Sequence, residues 1–267
     1  MVAPLDVKVR QLEVRALPWR TVQNPWETWL ANAMAGAADA RERLASPRVA
    51  FEARRKAIHV FGAIVAVPVF LLLPFEAALL FALAIMALIV VVHVAERRRI
   101  ASGLPAFLHK PVATALEVTR RPHESFPWPP ILFLVALIVI GTANTWAGFS
   151  KAYAFAAFGI LGVGDAASAL IGVAYGRRML PWNSRKSFEG TLAGFVASYV
   201  AAALLASIAY TVRLEVMPPA MHGVVALGAL AGALIETLPR VEDNLFVPLG
   251  AYAAMIGAAF ALGSPLA

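Results

Sequence analysis

The chain alternates between long apolar runs and short polar connections from about residue 57 to its C-terminus. Each run has roughly the 20 residues that an α-helix needs to cross the hydrocarbon core of a bilayer. The first two runs are separated only by Leu73, Pro74 and Phe75, which predicts a tight turn. The pattern predicts seven transmembrane helices, at 57–73, 75–94, 128–145, 152–175, 190–211, 221–238 and 246–263.

Composition supports this class of protein. Hydrophobic residues make up 60% of the 267 positions and charged residues only 15%, against about 25% charged residues in soluble domains. The mean hydropathy is +0.73. The chain has no cysteine, so disulfides and thiolate chemistry are excluded. We therefore expect an all-α integral membrane protein whose polytopic membrane domain covers residues 51–267.

Residues 1–50 form a basic segment of mixed polarity. Trp19, Trp26, Trp29 and Leu30 fit one face of an amphipathic helix that lies in the membrane interface. A poorly ordered basic arm is the alternative, and the sequence leaves both open. No apolar stretch follows Met1, so no cleavable signal peptide is expected.

The basic residues follow the predicted topology. All but two of the 23 Lys and Arg residues lie before the first span or in alternate connections, and the exceptions are Lys151 and Arg213. The positive-inside rule then places the N-terminus and the basic connections in the cytoplasm. We expect a multi-pass protein of the cell membrane with a cytoplasmic site. The net charge of +7 is explained by topology, so nucleic acid is not an expected partner.

Asp165 is an acidic residue within a predicted apolar span, where a charged side chain is unexpected. An ionised Asp in hydrocarbon costs about 2.5–3.5 kcal/mol, so an intramembrane Asp indicates a functional site. A structural ion pair is the alternative, although no basic residue lies within a turn or two of Asp165 in sequence. A basic loop follows the same span, and its inventory suits a phosphate chain with a metal ion. That loop contains Arg177, Arg178, Ser184, Arg185, Lys186, Ser187, Glu189 and Gly190.

Other segments deliver polar residues to the same predicted membrane surface. Such convergence is what an active site at the lipid–water boundary requires. The alternatives are that Arg55 and Lys56 are topology anchors and that loop 177–190 is a solvated linker. The converging residues are Arg55, Lys56 and His59 before and within the first span, Arg120, Arg121, His123 and Glu124 before the third, Glu236 at the end of the sixth, and Asp243 with Asn244 after it.

Several of these residues form motifs that resemble the CTP-dependent lipid-alcohol kinases, the family of the dolichol kinases, the phytol kinases and a CTP-dependent diacylglycerol kinase. The resemblance runs from about residue 52 to the C-terminus, and Phe246 departs from the family pattern before Val247-Pro248. The matching motifs are Arg55-Lys56 with His59 and Gly62, Arg120-Arg121 with Glu124, Gly164-Asp165-Ala166-Ala167-Ser168 with Gly172 and Gly176, Lys186-Ser187-Phe188-Glu189-Gly190-Thr191, and Glu236-Thr237-Leu238-Pro239 with Asp243-Asn244-Leu245.

The resemblance implies transfer of the γ-phosphoryl group of a nucleoside triphosphate, usually CTP, to the hydroxyl of a membrane lipid. Such transfer depends on positioning and on charge neutralisation by Mg²⁺ and cationic side chains. Asp165, Lys186 and Asp243 are then the expected catalytic residues, with Asp165 favoured as the base. Asp165, Glu189 and Asp243 are the expected metal ligands. The expected nucleotide-binding residues are Arg178, Arg185, Lys186, Ser187, Glu189, Gly190 and Asn244.

Two other functions stay open. A cytidylyltransferase that makes a CDP-lipid shares the membrane setting and the nucleotide, but its dense Lys-Asp and Asp-Arg cluster is missing here. A transporter would use Asp165 as an ion site, yet the chain shows no internal repeat and its outer loops are nearly uncharged. The identity of the lipid alcohol, the choice of CTP over another nucleotide and the oligomeric state are not decided by the sequence.

Overall fold

The computed structural model describes residues 45–102 and 126–263, together with positions 34, 36 and 42. The chain divides into two compact units, Met1–Arg41 and Glu42–Ala267, and the description below concerns the second. The predicted N-terminal basic segment lies almost entirely outside the described residues. Its boundary at residue 50 and its interfacial helix therefore stay predictions.

The described part of the second unit is built from α-helices and one short hairpin. A π-helical turn, Ile160–Gly164, joins α4 to α5. The helices are α1 (Pro47–Leu72), α2 (Phe75–Ser102), α3 (Trp128–Trp146), α4 (Lys151–Gly159), α5 (Asp165–Tyr175), α6 (Phe188–Val212), α7 (Pro219–Glu236) and α8 (Asp243–Leu262).

Seven stretches among the described residues are long and apolar enough to cross a membrane. The predicted all-α membrane bundle with seven spans is therefore confirmed. The first span begins at Val49, well before the predicted start at residue 57. Arg55 and Lys56 lie inside this helix and are buried, so they do not mark its end.

Local sequence explains where the first helices begin and end. The Ser46 side chain accepts a hydrogen bond from the backbone N–H of Val49, and Pro47 occupies the first turn of α1. Both residue types favour a helix start. Leu73 has an extended backbone, as expected of a residue before proline. Pro74 thus separates α1 from α2 in the tight turn that the sequence predicts.

The core centres on α4, whose residues from Ala152 to Gly159 are all buried. Small residues allow the neighbouring helices to approach closely, which is how helices pack where lipid offers no hydrophobic driving force. A Cβ added at Gly159 would lie only 3.0 Å from the backbone of Ala201 in α6. By contrast, only 17% of the apolar window of α2 is buried, so α2 lies at the edge of the bundle.

The predicted basic loop is a two-stranded antiparallel hairpin. Strand β1 (Met179–Leu180) pairs with β2 (Asn183–Ser187), and Met179 faces Ser187 in the register. Pro181 and Trp182 form the turn. The Ser187 side chain then accepts from the backbone N–H of Gly190 and caps α6. We call the end of the bundle that carries this hairpin the hairpin end.

Candidate active site

A polar cleft of about 490 Å³ opens at the hairpin end. Segments far apart in sequence form its walls, namely α1, α5, the hairpin, the first turn of α6 and the first turn of α8. The predicted convergence of polar residues on one surface is thus present for those that the structure describes. The polar and glycine residues that line the cleft are Glu52, Arg55, Lys56, Ser168, Gly172, Gly176, Ser184, Arg185, Lys186, Ser187, Gly190 and Asp243.

Lys56 of α1 forms a salt bridge with Asp165, the first residue of α5. Both side chains are buried, with 4% of Lys56 and 1% of Asp165 exposed. The partner of Asp165 therefore comes from a different helix, which sequence distance could not reveal. Lys56 lines the cleft and Asp165 does not, so a molecule in the cleft meets Lys56 first.

The π-helical turn and its glycines position Asp165. A Cβ at Gly164 would collide with the Ser198 side chain of α6. A Cβ at Gly190 would lie 2.8 Å from the Cα of Gly172 and from the carbonyl oxygen of Ser168. These glycines are therefore needed for the close approach of α5 and α6. A π-helical turn inside a longer helix is frequently found at a functional site.

Lys186 in β2 contacts Glu236 at the end of α7, with 2.5 Å between Nζ and Oε1. Burial lowers the pKa of Lys186, but attraction to the carboxylates of Glu236, Asp243 and Asp165 outweighs burial and raises the pKa above its ordinary value. Lys186 is thus fully charged at neutral pH. Ser168 is a further hydrogen-bonding neighbour of Glu236.

The hairpin is held against the end of α7 by two hydrogen bonds. Trp182 Nε1 donates to Thr237 Oγ1 over 3.1 Å, and Asn183 Nδ2 donates to the Thr237 carbonyl oxygen over 3.0 Å. Glu236 immediately precedes Thr237 in α7, so these bonds fix the position of Lys186 relative to its partner. Sequence analysis missed this attachment because residues more than 50 positions apart carry no shared local signal.

Asp243 and Asn244 begin α8. Asp243 lines the cleft, whereas Asn244 is buried with 5% of its surface exposed. The side-chain oxygen of Asn244 accepts no hydrogen bond from any described residue. Buried acceptors are normally satisfied, so this oxygen fits a site completed by a ligand. An amide oxygen beside a carboxylate is a donor set that suits Mg²⁺.

Glu189 lies elsewhere. Its side chain is partly exposed, and its carboxylate accepts hydrogen bonds from the backbone N–H groups of Arg177 and Arg178, over 3.1 and 3.3 Å to Oε2. Neither Glu189 nor Arg178 lines the cleft. Among the described residues, no group of three His, Cys, Asp or Glu side chains could hold a metal ion. The three predicted metal ligands are therefore not assembled, and Glu189 instead holds the start of the hairpin.

The remaining predicted residues are not described at the level of side chains. His59 lies in α1, but the position of its side chain is outside what the structure describes. Arg121 and Glu124 fall in the segment 103–125, outside the described residues. Their predicted roles stay predictions.

Sequence analysis also missed Glu52. Its carboxylate contacts Arg55 Nη2 at 2.8 Å and lines the cleft. The spacing of three residues on one helix face is a signal that could have found it. Arg55, at 6% exposed, and Lys56, at 3% exposed, are not surface anchors. Cationic and anionic side chains thus alternate around the cleft, which suits a polyanion bound together with cations.

Comparison with known proteins gives relatives of one kind. A probable phytol kinase from Zea mays is 27% identical over 151 residues, covering 53% of this chain and 48% of the relative. A phytol kinase from Synechocystis is 41% identical over 100 residues, covering 36% of this chain and 41% of the relative. Over these stretches this chain is similar to phytol kinases. The resemblance to the lipid-alcohol kinase family that the motifs predict is thereby confirmed.

The chain spans about half the length of the curated relatives it matches. A probable phytol kinase from Glycine max is 27% identical over 142 residues and is covered to 44% of its length. No family model matches the chain, and no solved structure matches it. The relatives from both plants are described as chloroplastic.

Proposed function

We propose that this chain phosphorylates the hydroxyl group of a membrane lipid alcohol, with CTP as the phosphoryl donor. The observation that carries the proposal is the cleft at the hairpin end, where Lys56, Arg55, Arg185 and Lys186 converge from two separate segments on one polar space. The similarity to phytol kinases supports the class of reaction. The choice of CTP rests on the motif resemblance.

The reaction is a single displacement. The oxygen of the lipid hydroxyl forms a bond to the γ-phosphorus, and the bond from that phosphorus to the oxygen bridging it to CDP breaks. The hydroxyl proton passes to a carboxylate, for which Asp165 and Asp243 are the candidates. The cations of the cleft hold the phosphates and neutralise the charge that spreads over the transferred group.

Magnesium fits this scheme because Asp243 lines the cleft and the following residue, Asn244, has a buried side-chain oxygen that accepts no hydrogen bond from the described residues. Asp243 and Asn244 would hold the ion, together with phosphate oxygens and water. The ion would supply further neutralisation of phosphate charge. The N-terminus of α6, capped by Ser187, adds a positive helix end that favours an anion.

The proposal places the protein in the cell membrane with the hairpin end in the cytoplasm. The distribution of Lys and Arg supports this orientation. Because the chain has no cysteine, single cysteines at positions 185 and 213 can be labelled without background. We expect position 185 to react only from the cytoplasmic side and position 213 only from the outside. Labelling of position 185 from the outside would overturn the orientation.

The decisive experiment uses purified protein, CTP labelled in the γ-phosphate, Mg²⁺ and a panel of lipid alcohols that includes phytol, polyprenols and diacylglycerol. We expect the label in a phospholipid product and CDP as the second product. Release of pyrophosphate from CTP with a lipid phosphate as acceptor would instead assign a cytidylyltransferase. ATP and GTP in parallel reactions test the choice of nucleotide.

A further inference from the structure

A second, apolar groove lies between α1, α2 and α3. It has a volume of about 220 Å³ and almost no polar surface. Small residues, including Gly62, Ala66 and Ala78, line the groove together with the aromatic rings of Phe61, Phe70, Phe81 and Phe133, and the ring of Phe133 packs against Gly62. The groove adjoins the bilayer because α2 packs more on α3 than on α1 and is largely unburied.

The groove and the polar cleft share one helix. Lys56 of α1 lines the cleft, whereas Gly62, Val65 and Val69 of the same helix line the groove. At 1.5 Å per residue, the groove runs from about 9 Å to about 20 Å beyond Lys56 along the helix axis. Arg55 also lines the cleft, and its spacing to Gly62 and Val69 puts these three residues on one face of α1. A lipid whose hydroxyl is at the cleft beside Arg55 therefore has its chain alongside the groove.

We propose that this groove binds the prenyl chain of the lipid-alcohol substrate and selects for long, methyl-branched chains. The proposal rests on the proposed function and adds the part of the molecule that recognises the chain of the lipid. Short side chains such as those of Ala66 and Ala82 line the groove beside the aromatic rings and leave lateral room for the methyl groups of the chain. A twenty-carbon prenyl chain reaches Val69, whereas a ten-carbon chain ends near the start of the groove.

Filling the groove tests the proposal. Val65 and Val69 are partly exposed and line the groove, so Val65→Trp and Val69→Trp add bulk there without replacing a fully buried side chain. We expect the KM for phytol to rise about tenfold, because the tail loses buried apolar contact. The kcat and KM for the ten-carbon alcohol geraniol should stay within about twofold of wild type.

Ile64→Trp is the matched control. Ile64 is the neighbour of Val65 in α1, is 59% exposed and does not line the groove. The control should leave the chain-length preference unchanged. Equal loss of phytol and geraniol turnover in Val65→Trp and Val69→Trp, or an unchanged preference in both folded variants, would overturn the groove as the chain site.

A second measurement does not depend on turnover. A phytol analogue with a diazirine near its tail should crosslink to residues 61–70 and 78–85, and unlabelled phytol should compete. Val65→Trp should abolish the crosslink while Ile64→Trp keeps it. Competition by bilayer phospholipid but not by phytol would assign the groove to ordinary lipid and overturn the inference. If wild type phosphorylates no alcohol yet still crosslinks competitively, the proposed function fails and the binding groove stands.

Discussion

The salt bridges at the two ends of the bundle differ in burial. At the hairpin end, Lys56 and Asp165 form a salt bridge with 4% and 1% of their side chains exposed. At the opposite end, which carries the connection between α6 and α7 and is called the far end, Arg213 and Glu215 form a pair at 3.8 Å with 52% and 51% exposed. A surface pair contributes about 0–1 kcal/mol, whereas a buried pair carries a large desolvation cost for each ion. The hairpin end therefore retains charge where stability alone would not select it.

Lys151 and Asn144 at the far end are satisfied by the fold itself, whereas the buried Tyr210 hydroxyl makes no hydrogen bond with a described residue. Lys151 Nζ donates to the Phe70 carbonyl oxygen over 2.7 Å. Asn144 donates to the Phe149 carbonyl oxygen and accepts from the Tyr252 hydroxyl. At the hairpin end, by contrast, the Asn244 oxygen accepts no hydrogen bond from the described residues. The comparison teaches that the cation and the amide of the far end, Lys151 and Asn144, are paired within the fold, whereas at the hairpin end the amide oxygen of Asn244 is left open, and a ligand is proposed there.

The largest expected effect is that of Asp165→Asn. It should reduce turnover by about a hundredfold or more, because it removes the charge that pairs with Lys56 behind the wall of the cleft. It should also lower the stability of the metal-free protein by about 3 kcal/mol, because Lys56 is left buried without its partner. If repulsion between Asp165 and Asp243 were the only effect, Asp165→Asn would raise stability. The salt bridge between Lys56 and Asp165 makes a loss of stability the expected result.

The double variant Asp165→Asn with Lys56→Met separates the two effects of this substitution. Thermal melting should show that stability is regained, since neither buried charge remains, while lipid phosphorylation stays abolished. Near-wild-type turnover in folded Asp165→Asn would remove this residue from the site.

Asp243→Asn, assayed for lipid phosphorylation against Mg²⁺ concentration, should raise the Mg²⁺ concentration that activity requires.

Lys186→Met should weaken the use of CTP by at least about tenfold, because a charge-assisted phosphate contact is lost. Lys186→Arg should restore part of the activity. Arg213→Met is the matched control at the far end. Steady-state kinetics with varied CTP should give wild-type kcat and KM for this control. Unchanged kinetics in a folded Lys186→Met protein would contradict the role of the hairpin in nucleotide binding.

The pH dependence of stability tests the same residue. The folded protein raises the pKa of Lys186 above the ordinary lysine value, so its charged form is favoured by folding. Its contribution to stability is therefore fully present below the ordinary lysine pKa and is lost as the pH rises through the folded value. Melting curves of wild type and Lys186→Met should differ by a constant amount at neutral pH and converge only in strongly alkaline solution.

A smaller effect is expected when the attachment of the hairpin is loosened. Trp182→Phe removes the hydrogen bond to Thr237 and should cost about 1 kcal/mol. The KM for CTP should rise several-fold with little change in kcat, and hydrogen exchange should accelerate at residues 179–187. Trp146→Phe is the matched control, because Trp146 is 85% exposed at the far end of α3. Equal exchange rates in the two variants would show that the attachment does not position Lys186.

The smallest expected effect is that of Arg213→Ala. Breaking an exposed pair should change the free energy of unfolding by no more than about 0.5 kcal/mol and leave lipid phosphorylation unchanged. Thermal melting at low and high salt provides the measurement. A loss comparable to that of Asp165→Asn would remove the contrast between the two ends.

The sequence by itself determined the class of protein and the seven spans, and it singled out Asp165 and Lys186 as candidate site residues. These follow from apolar run length, from charge placement and from the cost of a carboxylate in hydrocarbon, all of which are local properties of the chain. Only the tertiary structure decided that Lys56 pairs with Asp165, that Lys186 pairs with Glu236 and that Glu189 turns to the hairpin backbone. Such pairings depend on which helix faces meet, and apolar runs without a strong polar face do not encode how neighbouring helices are rotated.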